Sequence, residues 1–428
     1  MLKTSILSLA LCLGGISAVL AEDSPLWITN NLYDAANQND LGLKRPEGLQ
    51  TITVFAPSDD TDHFSNGICM VGFKGGLYCM WQSSKTDEDS SDTWVAYARS
   101  MDGGSTWSQP MVLAPTIADG STSSGGWWTY GDELIAYINT WNSGHTEGYT
   151  RYITSTDGLT WSEPAEVTMA DGSRLDAIFE QDPHALPSGR IVNAAHFAPG
   201  LFVYPIYTDD PSGKTGWHKA SFTPKQQSST QSRELEPSLY RKPDGTLVMI
   251  FRDQSSTFYK LASVSTDNGE SWSSSVLTNF PDSRSKQSAG NLPDGTAFVA
   301  SNPVSNKNRW PLALTLSADG SEFNTAWLLR SKDEMQPLRY SGSAKREYYS
   351  YPKSVVIDDW LYVAYSTNKE DVEYSRVPLS SIQLIGTGIE ETPAEDHTEV
   401  LTDLMGRRVS QPVRGQFYLQ GGRKILYQ

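Results

Sequence analysis

Cysteine is scarce in this chain, with three among 428 residues. Cys12 stands in an apolar N-terminal stretch, which leaves Cys69 and Cys79 for everything that follows. No CxxC pair occurs, so zinc-ribbon and thioredoxin-like spacings are excluded, and no metal or other cofactor is expected. Cys69 and Cys79 flank the turn Lys74-Gly75-Gly76 and so belong to one hairpin. A disulfide and a pair of buried thiols are both open readings there. Positive charge is also in short supply, with 34 Lys and Arg against 50 Asp and Glu and a net charge of −16. That balance argues against nucleic acid, whose phosphates call for basic side chains. Beyond residue 21 no apolar run approaches the length of a membrane span, so none is expected.

The first 21 residues read as a signal peptide. Lys3 supplies the positive start, Ile6 to Ile16 a short apolar core, and Val19-Leu20-Ala21 a small-residue cleavage site. Cys12 follows Leu11 rather than a small residue, which speaks against a lipid anchor. The mature chain is therefore expected to begin near Glu22 and to be secreted, periplasmic or displayed at the cell surface.

What the chain has in quantity is repetition. Ser100-Met101-Asp102-Gly103-Gly104-Ser105-Thr106-Trp107, Ser155-Thr156-Asp157-Gly158-Leu159-Thr160-Trp161 and Ser265-Thr266-Asp267-Asn268-Gly269-Glu270-Ser271-Trp272 share one pattern. Ser317-Ala318-Asp319-Gly320 is a fourth copy without its Trp. The leading serines lie 55, 110 and 52 residues apart, so a decayed copy is expected in the long gap. Tyr207-Thr208-Asp209, followed by Gly213 and Trp217, falls there. Asp and Gly close a tight turn between strands, and the Trp packs back on the sheet, so these aspartates are structural. Between the copies, Pro-Asp-Gly and Pro-Ser-Gly turns join short alternating strands. A period of about 53 residues suits a four-stranded propeller blade. The expectation is an all-β, six-bladed β-propeller from residue 27 to about 384, closed by an N-terminal strand, with a small C-terminal β appendage. Residues 22–384 would form the propeller, 385–398 an acidic linker around Pro393, and 399–428 the appendage.

The blade repeat also aligns the residues that face the axis. Counting seven back from the turn leads from Pro243 to Glu236 and from Asp358 to Tyr351. From Pro187 it leads to Glu180, but that turn is shorter, so the Asp182-Pro183 step is taken as the match to Glu236-Pro237 and Tyr351-Pro352. Counting eight back from the repeat serines gives Asp92, Glu147, Thr257 and Arg309. His196 and Arg252 stand at the far ends of second strands.

The repeat resembles the Asp box of the sialidase superfamily. Glu236-Pro237 with Arg252 sixteen residues on, Asn308-Arg309 ahead of the fourth copy, and Tyr351 with Tyr349 nearby resemble that family's glutamate, second and third arginines, and tyrosine. The resemblance implies that Tyr351 is the nucleophile and Glu236 the base that serves it. It also implies that Arg252 and Arg309 grip a substrate carboxylate, and that an aspartate on a mobile loop is acid/base. Asp89 or Asp92 in the run Asp87–Asp92 is assigned that role, although such a run also reads as a solvated loop or a cation site. His196, Asp182, Glu147 and Tyr349 complete the expected substrate contacts. One departure stands out: Phe64-Ser65-Asn66-Gly67-Ile68 lacks the arginine that the family carries before its first hairpin. The tail around Asp403–Val409 and Gly415–Ile425 resembles the C-terminal sorting signal of the type IX secretion system, which implies secretion machinery as a partner; a β-hairpin packed on the propeller is the other reading.

Three functions remain open at this level. The first is an exo-glycosidase of retaining type acting on terminal acidic sugars of a glycan. The second is a lyase on uronate polymers using His184, His196, Tyr240 and Arg252. The third is a glycan-binding propeller without catalysis, with Trp127, Trp128 and Trp141 stacking on sugars.

Overall fold

The computed structural model describes residues 24–88, 90–144, 146–384, 401–402, 409, 417–420 and 423–426. The expected signal peptide and the 385–398 linker lie outside these residues. The chain separates into two compact units, 1–385 and 386–428.

The first unit is a six-bladed β-propeller. Each blade is an antiparallel sheet whose strands follow one another from the axis outward. The first blade comprises Phe64–Phe73, Gly76–Ser84, Trp94–Ser100 and Met111–Ala114. The second comprises Ser121–Tyr130, Glu133–Trp141, Gly148–Ser155 and Ala165–Glu166. In the third the inner strand is split into Ala177–Phe179 and His184–Ala185, followed by Ile191–Phe197, Phe202–Thr208 and His218–Lys219. Glu234–Arg241, Leu247–Asp253, Tyr259–Ser265 and Val276–Pro281 make the fourth, and Ser288–Asn291, Ala297–Ser301, Leu312–Ser317 and Thr325–Arg330 the fifth. The sixth has Tyr349–Ile357, Trp360–Thr367 and Asp371–Pro378, with Gln50–Phe55 as its outermost strand. Pairing of Gln50 with Arg376 and Ile52 with Tyr374 closes the ring. Ring closure was expected, but the closing strand begins at residue 50. Trp27–Ile28 instead pairs in parallel with Glu322–Phe323 beside the fifth blade.

The cores lie between blades. Six clusters of buried apolar side chains fill the six junctions, such as Tyr137, Phe179, Ile191 and Trp217 between the second and third blades and Trp81, Ala96, Tyr362 and Tyr374 between the sixth and first. A single blade cannot bury both its faces, so stability depends on completing the circle.

The boxes hold the outer turns. Ser265 Oγ accepts Gly269 N–H at 2.9 Å and donates to Asp267 Oδ1 at 2.8 Å, and Asp267 Oδ1 accepts Ser271 N–H at 2.9 Å. The copies at Ser100, Ser155 and Ser317 repeat the Ser–Asp bond. The decayed copy is present in the third blade, but its aspartate is Asp210 rather than Asp209. Asp210 accepts Ser212 N–H and Thr215 Oγ1–H at 3.0 and 2.7 Å, while Asp209 pairs with Arg190. Adjacent blades are stitched by tyrosines whose hydroxyls donate to box-glycine carbonyls: Tyr137 to Gly213 at 3.0 Å and Tyr240 to Gly320 at 2.6 Å.

Cys69 and Cys79 are buried free thiols. The register pairs Cys69 with Met80 and Met70 with Cys79, so the two sit in adjacent rows and enter different cores. In the second unit, Leu401–Thr402, Phe417–Gln420 and Arg423–Leu426 form a three-stranded antiparallel sheet. No helix among the described residues is long and apolar enough to cross a membrane.

Trp217 is fully buried and donates its indole N–H to Gly213 O at 2.9 Å. Trp217→Ala is expected to lower the unfolding free energy by about 3–5 kcal/mol, read from urea denaturation. A loss under about 1 kcal/mol would contradict the view that the degenerate box still anchors its blade.

Candidate active site

Inner strands of four blades carry a register shift near their starts: Asn66/Cys69, Ser124/Gly126, Leu235/Ser238 and Ser350/Lys353. Gly67, Glu236 and Tyr351 occupy such shifts with φ of 63°, 50° and 55°. Glycine takes that conformation freely, whereas glutamate and tyrosine are strained in it. A bulge at a sheet's end re-aims a side chain, and here it turns both residues to the axis.

The seven-residue count from the turn extends to every blade. Lys74, Gly131, Pro187, Pro243, Pro293 and Asp358 lead back to Gly67, Ser124, Glu180, Glu236, Lys286 and Tyr351. All six line one central cavity of about 320 Å3. Glu180, and not Asp182, therefore holds the third blade's place, because the split inner strand absorbs the shorter turn. Asp182 accepts Trp127 N–H at 2.6 Å and is not among the lining residues.

The cavity is strongly charged for its size. Arg252 Nη1 donates to both oxygens of Glu236 at 3.1 Å, and its Nη2 to Gln254 Oε1 at 2.9 Å. Lys286 donates to Glu180 Oε2, and His196 Nδ1 lies 3.0 Å from Glu180 Oε1. Around the Tyr351 ring stand the Arg309 guanidinium at 5.0 Å, the Lys286 ammonium at 5.2 Å and the Lys369 ammonium at 5.5 Å. Lys369 Nζ donates to Glu88 Oε2 at 2.8 Å, and Asn66 Nδ2 to Glu88 Oε1 at 3.0 Å. That link engages Asn66, in the 64–68 stretch that carries no arginine.

Burial opposes ionisation of Glu236, but Arg252 and Lys286 outweigh it and hold its carboxyl below the usual range. Glu180 is likewise opposed by burial and pulled well down by Lys286 and His196. Burial, with Glu236 adding to it, pushes the Tyr351 phenol up, so the hydroxyl is protonated at neutral pH and requires a base to ionise. Among the described residues no hydrogen bond joins Glu236 to that hydroxyl, and both carboxylate oxygens accept from Arg252 Nη1 instead.

Several expected residues stand elsewhere. Tyr349 is buried behind the site and donates to Ser331 O at 2.9 Å. Glu147 is exposed on a loop that folds back on Asn142. Asp92 accepts Lys85 N–H at 3.1 Å and is not among the lining residues; Asp89 lies outside the described residues. Asp87 clasps the backbone of Ser343 and Ala344, and among the described residues of this loop Glu88 is the acid that lines the cavity. His196 lines the cavity, but its Nε2 accepts Glu236 N–H at 3.2 Å while Nδ1 lies 3.0 Å from Glu180 Oε1, so both ring nitrogens are engaged within the protein. His184 lines a different cavity beside Pro187, Pro243 and Pro293, and Tyr240 is committed to its interblade stitch, so the lyase set is dispersed. Trp127 is buried packing and Trp128 donates to Pro211 O; Trp141 does line the cavity.

Residues 75–363, well over half of the chain, match the family model of the BNR repeat-like domain. The chain belongs to the BNR repeat-like family. No curated protein sequence matches it. Among solved structures, a sialidase superposes on this BNR-repeat propeller with a TM-score of 0.59 at 18% identity, over 83% of this chain and 35% of the sialidase. The chain thus spans about a third of that relative's length. The intramolecular trans-sialidase from Ruminococcus gnavus, solved with oseltamivir carboxylate, gives 0.56 at 14% identity over 81% of this chain and 99% of its own. A protein of unknown function from Dyadobacter fermentans gives 0.58 at 14%, over 77% and 99%. At such identities the likeness establishes a common fold.

Sequence reasoning missed Glu88, Glu180, Lys286 and Lys369. The turn count already reaches Glu180 and, from Pro293, Lys286. Lys369 sits in the Asn368-Lys369 turn of the sixth blade, and no repeat signal marks it.

Because the Glu180 carboxyl is lowered in the folded propeller, its contribution to stability is present above the ordinary glutamate value of about 4.3 and is lost as pH falls through the folded value. Glu180→Gln is expected to lower the melting temperature at neutral pH, with the gap to wild type closing below about pH 4. Melting curves across that range measure it, and a gap independent of pH would exclude the ion pairs as its cause.

Proposed function

We propose that this propeller is a secreted exo-glycosidase of sialidase type that removes terminal acidic sugars from glycans by a retaining mechanism. The observation that carries the reading is the convergence of Tyr351 with Arg252, Lys286, Arg309 and Lys369 in and around one cavity. A tyrosine ringed by cations suits a substrate whose reacting carbon bears a carboxylate. Such a substrate repels a carboxylate nucleophile and is held by the cations. Arg252 and Arg309 would hold the substrate carboxylate, with Lys369 in the place of the absent arginine. As the substrate carboxylate engages Arg252, the Glu236 oxygens are released to take the Tyr351 proton, and the phenolate attacks the anomeric carbon. Glu88, freed from Lys369 by the same competition, would take a proton from water and pass it to the leaving oxygen. A leader at residues 1–21 would carry this chemistry out of the cytoplasm, and the C-terminal unit would be the secretion signal.

The test is product analysis on sialylated, uronate-rich and neutral glycans with wild type and variants. Tyr351→Phe should lose nearly all turnover while substrate affinity changes little. Glu88→Gln should lose about 10²–10⁴-fold in kcat, and Asp92→Asn should stay close to wild type. An active Tyr351→Phe protein would refute the tyrosine-nucleophile mechanism.

A further inference from the structure

The propeller closes through Gln50–Phe55, so the chain before residue 50 is not needed to complete any blade. It is nonetheless firmly attached. Asn279 bonds both the N–H and the carbonyl of Ile28, at 2.8 and 2.9 Å. Thr29 donates to Glu322 at 2.8 Å, and the Tyr33 and Thr315 hydroxyls meet at 2.6 Å. Beyond these anchors the segment folds on itself, with Asp34 N–H to Leu41 O at 3.0 Å and Leu41 N–H to Asn37 O at 2.6 Å.

This strap roofs a second cavity of about 650 Å3 over the fourth and fifth blades. Its floor includes Tyr259 and Pro281, at the start and end of strands of the fourth blade, and Asn308 and Trp310, which bracket Arg309. It therefore opens on the same face of the propeller as the central cavity, and the two share no lining residue.

The lining chemistry is distinctive. Among the described residues, no charged side chain lines it, in a chain with a net charge of −16 and next to a cavity crowded with charges. Among the described residues, the side-chain amides of Asn30, Gln38 and Asn308 find no hydrogen-bond partner, nor do the Tyr259 hydroxyl and the Trp310 indole N–H. Lys332 covers one face of Trp310 at 5.0 Å from the ring. Amides offer a donor and an acceptor side by side, which matches vicinal hydroxyls, and aromatic faces suit the C–H faces of a pyranose ring. Lys332 is itself paired with Glu347 at 2.5 Å, so among the described residues no unpaired charge faces the cavity to offset the desolvation of an ion, which selects an uncharged ligand. The volume lies within the range of small-ligand sites.

We propose that this roofed cavity is a binding site for neutral saccharide units, separate from the central cavity and built by the N-terminal strap. It adds glycan-holding capacity on the face of the propeller that carries the central site, and it does not depend on what reaction occurs there.

Titration calorimetry and saturation-transfer NMR on the full chain test it, with lactose, N-acetyllactosamine, cellobiose and maltose as probes and glucuronic acid as the charged control. Wild type should bind at least one neutral probe and not glucuronic acid through this cavity. Asn30→Ala/Gln38→Ala removes two exposed amides that hold nothing in the fold, and Ala35→Trp fills the rim; each should weaken binding at least about tenfold with an unchanged melting temperature. Tyr351→Phe should bind the neutral probe as wild type does, which separates this site from the proposed catalytic one. Three results would overturn the proposal: no neutral probe binds at millimolar concentration, both strap variants bind normally, or binding is lost only when Tyr351 or Glu236 is replaced.

Discussion

Glu236 and Tyr351 sit in a left-handed backbone conformation that costs a side-chain-bearing residue on the order of 1–3 kcal/mol. Each lies in a bulge on the innermost strand of its blade, followed by proline and held by ladder bonds on either side. The six interblade cores supply the surroundings that enforce this geometry. A blade taken alone would relax the bulge, and the side chain would swing out of the axis. The equivalent place in the first blade is Gly67, where the Ser124 side chain packs so close that a Cβ would meet its oxygen at 2.7 Å. The same backbone device thus yields a strained functional group in two blades and a close interblade approach in another.

Charge in the cavity is organised in pairs that also hold one another in place. Glu180 ties Lys286 to His196, His196 accepts the strained Glu236 amide, and Glu236 binds Arg252. This chain runs through the third, fourth and fifth blades, so blade alignment and cavity electrostatics are one problem. Removal of Arg252 or Lys286 takes the counter-charge from a buried carboxylate, which is costly. The overall negative charge of the chain has no part in this; it belongs to the exposed surface and to solubility.

The outer rim follows a different logic from the centre. Box turns are fixed by bonds within five residues, and the third-blade copy keeps the geometry with Thr208 in place of the serine and Asp210 two residues on, as in the other copies. The N-terminal strap shows the reverse: its contacts with Asn279, Thr315 and Glu322 join residues some 250 to 290 positions apart, and no local pattern announces them.

Blade number, hairpin turns and box positions were legible in the sequence because Asp, Gly and Pro act over a few residues and recur at a fixed period. The same period carried the count from turn to axis, which located Glu236 and Tyr351. Other features were decided by tertiary structure alone. The ring brings the 368–369 turn of the sixth blade against the first, so Lys369 and Glu88 meet only after closure. Among the described acids of the 87–92 run, Asp87 is held away by Ser343 and Ala344, more than 250 residues distant, while Glu88 lines the cavity. Whether Glu236 touches Tyr351 or Arg252 is likewise settled by competition among buried charges, and a pattern of residue types does not encode the outcome of that competition.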